Sequence, residues 1–370
     1  MKCDVAVIGG GVVGLSCAWR LAQGGAKVAL FERGTCGREA SWAAAGMIAP
    51  LVEAARHPPE DKKTRAAMLD LCLQSRDLYS DFAVELQENI ELSLGDIKGG
   101  RHDWRKPGIL YAATRSDDVA LNVLQQFDES ELVHSWLGFP TVHLPRHGQV
   151  NNQKLVIALQ NAALHSGVVV HSCQPARIRR IQKDCIEIET PSHPVIQCDK
   201  LLLCAGAWSG EIEGLPIECL PPVRPIAGQM LALRPREAKL KQLLTQIIYS
   251  SDVYLVPKLN GQLFVGATMA DIGFDKTVKV EGMTRLLQAA AKLLPDIESW
   301  EIVAQWAGLR PATPDGLPIL GRTPIENLFV ATGHFRNGIL LTPITAQLMA
   351  DCILNGKEPP QEFSLARFHQ

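Results

Sequence analysis

The hydrophobic pattern at the start of the chain predicts a strand, a helix and a second strand in quick succession. Residues 4–8 form a short, almost wholly apolar strand, and residues 12–21 carry apolar side chains at helical spacing. A further apolar run, residues 27–31, ends at Glu32. A buried strand, a helix and another buried strand in this order are typical of a βαβ unit with parallel strands.

The same blocks continue through the middle of the chain. Apolar spacing predicts helices at residues 62–87, 116–128 and 150–166, and strands at 108–113, 168–171 and a hairpin-like pair over 177–190. The apolar run 200–206 is too continuous to be half exposed. It is therefore expected in a parallel sheet that is covered on both faces.

Residues 223–305 follow a different pattern, which predicts a mostly antiparallel sheet. Its expected strands are residues 229–233, 253–257 and 262–266, and a helix at 283–294 is expected to pack against them. The end of the chain returns to the first pattern, with a strand at 327–331, a turn at 332–334 and a helix at 338–353 that is interrupted near Pro343.

Together these elements predict an α/β fold with two domains. The first is a Rossmann-type dinucleotide-binding domain on a parallel sheet, and the second is an α+β substrate domain on a mostly antiparallel sheet. The nucleotide domain is expected to be discontinuous, built from residues 1–88, 148–221 and 306–370. The substrate domain then consists of the insertions, residues 89–147 and 222–305.

The turn after the first strand carries glycines at the spacing of a dinucleotide-binding loop. Gly9 suits the tight turn, Gly11 allows close approach to a pyrophosphate, and Gly14 allows the helix to pack on the strand. The helix N-terminus directs free N–H groups at the phosphates. Glu32 lies at the end of the second strand, where an acid accepts from ribose hydroxyls. A glycine turn in an ordinary α/β protein would leave Glu32 without an explanation.

Composition and charge restrict the kinds of ligand that the protein is expected to bind. The chain has 370 residues and a formal net charge of -2, which argues against nucleic acid as a ligand. The ten cysteines are scattered without a CxxC pair, so we expect no metal site and a cytoplasmic location. His143 and His147 have ligand-like spacing, but Pro145 between them disfavours a helix. No apolar stretch is long enough to span a membrane.

Several segments together resemble the D-amino-acid-oxidase-like FAD-dependent oxidoreductases, within them the glycine-oxidising branch of thiamine biosynthesis. The segments, in family order over residues 4–343, are VAVIGGGVVGLSCAWRLA, GREASWAAAGM, LLLCAGAWSG, YSSDVYLVP, FVGATM, WAGLRPATPDGLPILG and ATGHFRNGILLTP. The neighbouring sarcosine oxidases attach their flavin through a cysteine, whereas this chain has residues 311–314, PATP, in that region. The resemblance therefore implies noncovalent FAD.

The resemblance also implies which residues contact the cofactor. FAD would lie along the first glycine turn, with an acid and an arginine at the ribose, and with small residues and a C-terminal turn beside the pyrophosphate and flavin. These residues are Gly9, Gly11, Val12, Val13, Gly14, Glu32, Arg33, Ala40, Ser41, Ala45, Gly46, Met47, Ala176, His334, Phe335, Arg336, Asn337, Gly338, Ile339 and Leu340. For the alanine-rich run 40–46, simple close packing is an equally good explanation.

A carboxylate substrate requires a cation, and the planar guanidinium of Arg310 is the first candidate. The alternative for Arg310 is a salt bridge to Asp315 or Glu301. Arg336 is a second candidate, although a loop arginine that closes the site is the more ordinary interpretation. Tyr254 and Tyr249 are expected to donate hydroxyls, and Met47 and Met269 to line a small pocket; each is otherwise an ordinary structural residue. Asp252 stands where the resemblance leads us to expect a histidine.

The implied activity is oxidative deamination of glycine and of other small amines, such as sarcosine and D-amino acids. Hydride transfer to the flavin needs no catalytic side chain, and oxygen as acceptor yields hydrogen peroxide. The imine product is expected to serve thiazole formation in thiamine biosynthesis. Two alternatives stay open: a D-amino acid dehydrogenase that passes electrons to a quinone or carrier, and a noncatalytic FAD-binding scaffold. We also expect a homo-oligomer.

Overall fold

The computed structural model describes residues 1–59, 61–88, 108–236 and 245–369, and contains two large sheets. Residues 89–107, the first part of the predicted substrate-domain segment 89–147, lie outside the described residues. The strands are β1 (Lys2–Ile8), β2 (Val28–Phe31), β3 (Met47–Ile48), β4 (Ile109–Ala112), β5 (Glu131–Trp136), β6 (Phe139–Leu144), β7 (Gly148–Gln149), β8 (Val169–His171), β9 (Arg177–Gln182), β10 (Cys185–Thr190), β11 (His193–Leu203), β12 (Arg224–Arg234), β13 (Ile247–Tyr249), β14 (Tyr254–Pro257), β15 (Leu263–Gly266), β16 (Glu301–Ala312), β17 (Ile319–Arg322) and β18 (Leu328–Thr332). The helices are α1 (Val12–Gln23), α2 (Ala40–Ala43), α3 (Pro50–Arg56), α4 (Lys62–Glu88), α5 (Val119–Leu124), α6 (Asn152–His165), α7 (Val280–Leu293) and α8 (Thr342–Asn355).

The first sheet has the order β17-β18-β11-β1-β2-β8, with the β9–β10 hairpin attached to β11. Strands β18, β11, β1, β2 and β8 run parallel, as the continuous apolar runs predict. Helices α1, α4, α6 and α8 pack on one face and bury a large apolar core with Trp19 at its centre. The other face has its own core around Ile186 and Leu203. The predicted Rossmann-type sheet is confirmed.

The second sheet has the order β16-β12-β15-β14-β13-β4-β6-β5 and is antiparallel except for the β13–β4 pair. The three strands expected to pair in it do so, since β12 pairs with β15 and β15 with β14. Helix α7 packs on one face of this sheet through Leu286 and Leu293, which are buried. The mostly antiparallel second unit is therefore confirmed as well.

Strand β16 crosses the domain boundary that the sequence places between residues 305 and 306. It pairs with β12 in an antiparallel ladder from Glu301 to Ala312, with one register shift between Ala232 and Leu233, so the whole strand lies in the second sheet. The sequence placed residues 306–312 in the wrong sheet because hydrogen-bond pairing between strands decides which sheet a strand joins. Local apolar periodicity carries no information about that pairing. The remaining domain division stays a proposal.

Two predicted helices have different bounds in the structure. The charged stretch 116–128 contributes only the short helix α5, whose N-terminus is capped by the Asp118 side chain. The C-terminal helix α8 begins at Thr342 rather than at residue 338, and Pro343 lies in its first turn. The expected interruption at Pro343 was wrong, because a proline in the first turn lacks only an N–H that has no partner there.

Candidate active site

The turn between β1 and α1 has the close backbone contacts expected of a dinucleotide loop. Gly9 has a φ of +113°, and a Cβ there would lie 2.3 Å from the carbonyl oxygen of Cys204. A Cβ on Gly14 would lie 1.9 Å from the carbonyl oxygen of Gly9. Only glycine fits these two positions, so the turn holds the N-terminus of α1 close against the carboxyl ends of the strands.

Two adjoining cavities form a cleft along this turn. The first, which we call the nucleotide cavity, forms the outer end of the cleft and is lined by Gly9, Glu32, Arg33 and Ala176. The second, which we call the inner cavity, is lined by Val12, Val13, Ala45, Gly46, Met47 and the turn His334–Leu340. The two share Gly11, Ala40 and Ser41, so the cleft passes directly over the helix N-terminus. The structure thus brings together all the predicted cofactor residues except Gly14, which packs beneath the turn.

Backbone N–H groups hold the acid at the outer end of the cleft in place. The Glu32 carboxylate accepts from Gly10 N at 2.7 Å and from Gly34 N at 2.9 Å. Arg33 is exposed; its guanidinium lies 3.6 Å from the ring centroid of Trp208 and 3.2 Å from a Glu39 oxygen. This end of the cleft therefore presents a fixed carboxylate beside a stacked cation.

Arg310 reaches the inner cavity from β16. Its guanidinium lies over Gly228 of β12, where a Cβ would approach to 2.1 Å, and Nη1 donates to the Thr268 carbonyl at 3.2 Å. The alternative ion pairs do not form, because Asp315 accepts from Arg367 at 2.6 Å and Glu301 lies 3.7 Å from Arg234. Among the described residues no carboxylate pairs with Arg310.

Arg336, by contrast, has a carboxylate partner that the sequence analysis missed. Its Nε and Nη2 donate to Glu53 at 2.8 and 3.2 Å, and Nη2 also donates to Tyr249 Oη at 2.6 Å. Glu53 lies in the first turn of α3, where a carboxylate is favoured by the helix dipole. The only signal in the sequence was a single acid within the apolar segment LVEAA, residues 51–55.

Burial and neighbouring charges set the ionisation of these groups. Burial is the largest single influence on the Glu53 carboxyl and raises its pKa, but the Arg336 guanidinium, together with His57 and Arg310, lowers the pKa overall. Burial and then the Arg336 charge lower the pKa of Arg310. Burial also acts to lower the pKa of Arg336, but the Glu53 carboxylate, together with Tyr249 and Tyr254, raises it overall. Arginine stays protonated regardless. Two guanidinium groups and one carboxylate thus leave the inner cavity with one net positive charge.

The two predicted tyrosines occupy different places. Tyr254 lines the inner cavity; its ring lies against Gly266, and its hydroxyl donates to Met230 Sδ at 3.5 Å. Tyr249 is buried behind Arg336 and does not line the cavity. In the structure its hydroxyl meets Arg336 rather than the cavity, and a direct contact of Tyr249 with the substrate stays a prediction.

The two predicted methionines also lie in different cavities. Met47 lines the inner cavity with Arg310 and Tyr254. Met269 is 56% exposed and lines a third cavity, separate from the two cavities of the cleft, which we call the outer cavity. Glu53, Phe335 and Asn337 face both the inner and this outer cavity and form the wall between them. The sequence could not separate the two methionines, since both occupy family segments of similar polarity.

The turn before α8 is held by α4. Ser75 Oγ donates to the Leu340 carbonyl at 2.6 Å, and Tyr79 Oη donates to the Ile339 carbonyl. His334 is buried with Nε2 3.0 Å from Thr345 Oγ1, and burial lowers its pKa to about 4. His334 is therefore neutral near pH 7, and the turn presents its backbone and Asn337 to the cleft.

Other candidate groups lie away from the cleft. Asp252 forms an ion pair with Arg115 and lines none of the three cavities. His143 bonds to Glu131 at 2.8 Å. Within the described residues no cluster of three metal-ligating side chains occurs, and no helix there is long and apolar enough to cross a membrane.

Comparison with known proteins assigns the class. Residues 4–352 match the family described as FAD dependent oxidoreductase, and the chain belongs to that family. It is similar to the glycine oxidase of Geobacillus kaustophilus, with 33% identity over 99% of this chain and 96% of that protein. The crystal structure of glycine oxidase from Geobacillus kaustophilus has a TM-score of 0.85 at 31% identity, covering 99% of this chain and 98% of the other.

A second group of relatives is longer. The Bifunctional protein ThiO/ThiG of Nostoc sp. is 35% identical over 100% of this chain but only 55% of its own length. The chain thus spans about half the length of these bifunctional relatives.

The cleft fits the family cofactor. The wall of the cleft at Ala40, Ser41, Ala43 and Gly46 is made of small residues, and the N-terminus of α1 faces the middle of the cleft, where a pyrophosphate would lie. The buried Oδ1 of Asn337 has no hydrogen-bond partner in the described protein and belongs to a residue that lines the inner cavity. A bound group with an N–H donor would satisfy this oxygen.

Proposed function

We propose that this protein is an FAD-dependent oxidase of glycine and other small amines, such as sarcosine and D-amino acids, with noncovalent FAD and with oxygen as the acceptor. One observation carries the proposal: Arg310 is a half-buried cation that lines the inner cavity and has no carboxylate partner among the described residues. A cation of this kind needs an anion from a ligand, because an uncompensated buried charge is costly. The carboxylate of an amino acid supplies it.

The residues around Arg310 bind and orient the substrate. The guanidinium takes the carboxylate through two parallel hydrogen bonds, and Tyr254 covers the same side of the cavity. Met47 and Met230 provide apolar walls that suit a substrate with little or no side chain. FAD, when bound, would supply a hydride acceptor for the α-carbon of the substrate. With the substrate carboxylate at Arg310, the remaining ion pair leaves the cavity neutral, so that an uncharged amine is not disfavoured.

No side chain of the cavity is suited to act as a general base. Glu53 is occupied by Arg336, and His334 is buried with its ring bonded to Thr345. The chain thus positions the substrate and excludes water, while its amine loses no proton to a dedicated group. This arrangement supports hydride transfer rather than proton abstraction at the α-carbon.

The imine formed from glycine hydrolyses to glyoxylate and ammonia or is consumed in thiazole formation for thiamine biosynthesis. The name of the ThiO/ThiG relatives supports the second route. All ten cysteines are free thiols, which supports a cytoplasmic location. Oxygen as the final electron acceptor would yield hydrogen peroxide.

The experiment is a comparison of Arg310→Ala and Arg336→Ala with wild type, measuring oxygen uptake and peroxide with glycine, sarcosine and D-alanine. Arg310→Ala should retain flavin but lose transition-state binding worth about 2–5 kcal/mol in kcat/KM. Arg310→Lys should recover part of this, since an ammonium lacks the two-pronged geometry. Unchanged kinetics in Arg310→Ala would refute the carboxylate site.

The same panel tests the other two functions. Amine oxidation that proceeds only with an added quinone, without oxygen uptake, would establish a dehydrogenase. A yellow protein whose flavin is bleached by none of the amines would establish a noncatalytic role.

A further inference from the structure

The wall between the inner and outer cavities is charged, and its charge is fixed. Glu53 faces both cavities, and its carboxylate is held by two hydrogen bonds from Arg336. We propose that Glu53 is a specificity-determining residue that excludes substrates with a second carboxylate. The inference rests on the proposed function, since it takes Arg310 as the anchor for the first carboxylate.

The two arginines of the site differ only in their partners. Arg310 bonds to a backbone carbonyl, whereas Arg336 is neutralised by Glu53. If position 53 were uncharged, the inner cavity would contain two free guanidinium groups, and each is able to bind a carboxylate bidentately. Glu53 therefore determines whether the site offers one anion-binding position or two.

Burial strengthens the repulsion between the Glu53 carboxylate and a nearby anion. The side chains of Glu53 and Arg336 are each 10% exposed, so little solvent screens the Glu53 carboxylate from a nearby anion. The pair also resists rearrangement, because Arg336 is held from behind by the buried Tyr249 hydroxyl. An incoming carboxylate cannot capture Arg336 without leaving Glu53 buried and unpaired, which is costly.

The position of Glu53 determines which substrates encounter it. An amino acid held at Arg310 has the outer cavity as an extension of the inner one, past the wall of Glu53, Phe335 and Asn337. A substituent that extends in this direction passes the Glu53 carboxylate. Neutral substituents are tolerated electrostatically, whereas a second carboxylate that passes Glu53 meets a like charge, and Arg336 beside it is already paired.

The test uses two unreactive carboxylates that differ by one charge. Acetate and malonate are titrated into the FAD-loaded protein at slightly alkaline pH, and binding is followed by the change in the visible flavin spectrum. Wild type should bind acetate more tightly than malonate. In Glu53→Gln the ratio of the malonate Kd to the acetate Kd should fall by about tenfold or more, since like-charge contacts cost several kcal/mol.

The matched control is Glu129→Gln, which removes a carboxylate from buried Arg76 but lines none of the three cavities. It should leave the malonate-to-acetate ratio unchanged. An equal change in Glu129→Gln would overturn the proposal, because the effect would then follow from loss of any buried ion pair. Equal binding of the two carboxylates by wild type would overturn it without any variant.

An activity measurement separates this inference from the proposed function. Among secondary amines, Glu53→Gln should raise kcat/KM for iminodiacetate relative to sarcosine. Oxidation of glycine with an unchanged carboxylate ratio in Glu53→Gln would refute the role of Glu53 alone. The predicted carboxylate ratios without oxidation of any amine would refute the proposed function and leave the role of Glu53 standing. Failure of wild type to bind either carboxylate would overturn both.

Discussion

A single methyl group at position 228 should disable the substrate-binding cation while its charge stays in the chain. A Cβ on Gly228 would lie 2.1, 2.3 and 2.4 Å from Nη1, Nη2 and Cζ of Arg310. Atoms cannot approach so closely, and the guanidinium is the end of a flexible side chain, whereas Gly228 belongs to a strand paired on both sides. In Gly228→Ala the guanidinium therefore moves and the strand stays.

The size of the effect follows from the contact that is lost. Removing the hydrogen-bonded cation from a desolvated carboxylate costs about 2–5 kcal/mol. Because about 1.4 kcal/mol corresponds to a factor of ten, kcat/KM for glycine should fall by at least about 30-fold. Most of this loss should be in KM if the displaced guanidinium no longer reaches the carboxylate in either the ground state or the transition state.

The assay is steady-state oxygen uptake with glycine, together with flavin content and thermal unfolding. The control is Gly210→Ala, where the nearest atom to the added Cβ is the Pro221 carbonyl oxygen at 3.4 Å, an ordinary contact. Gly228→Ala should retain flavin and nearly normal stability. A normal KM would refute the reasoning about Arg310, and loss of flavin or of the fold would show that the strand, rather than the guanidinium, had moved.

Two further predictions concern the cofactor turn and the C-terminal turn. Gly11→Val should yield colourless protein, since a Cβ there already lies 3.2 Å from Ser41 Oγ and the valine methyls would fill the space at the α1 N-terminus. A yellow, active Gly11→Val variant would contradict the use of this turn for FAD. In wild type, acid precipitation should release the flavin. His334 has its pKa lowered to about 4 by burial, so between pH 6.5 and 4 the unfolded chain binds the extra proton, and wild type should lose on the order of 3 kcal/mol of stability as the pH falls. Urea unfolding of holoprotein should show a shallower loss in His334→Gln, and parallel pH profiles for the two proteins would argue against this.

The nucleotide half of the site could be predicted from sequence because its physics is local. The Gly9 and Gly14 positions admit no side chain, and the alternation of apolar runs identifies the strand before them and the strand that ends at Glu32. The outer end of the cleft follows from these elements. The candidacy of Arg310 also followed from the sequence, because a guanidinium at the end of an apolar strand needs a specific anion.

The charge pairing of the substrate half was decided by the tertiary structure alone. Glu53 and Arg336 are 283 residues apart in the chain, and nothing local to either indicates that they meet. The same is true of Gly228, which makes room for Arg310 because β12 and β16 are neighbours in one sheet. Sequence periodicity determines which face of an element is buried, whereas the choice of a charge partner depends on which buried faces meet. For that reason the sequence alone could propose two arginines for one carboxylate. Only the fold shows that Arg336 is paired with Glu53, while Arg310 has no carboxylate partner among the described residues.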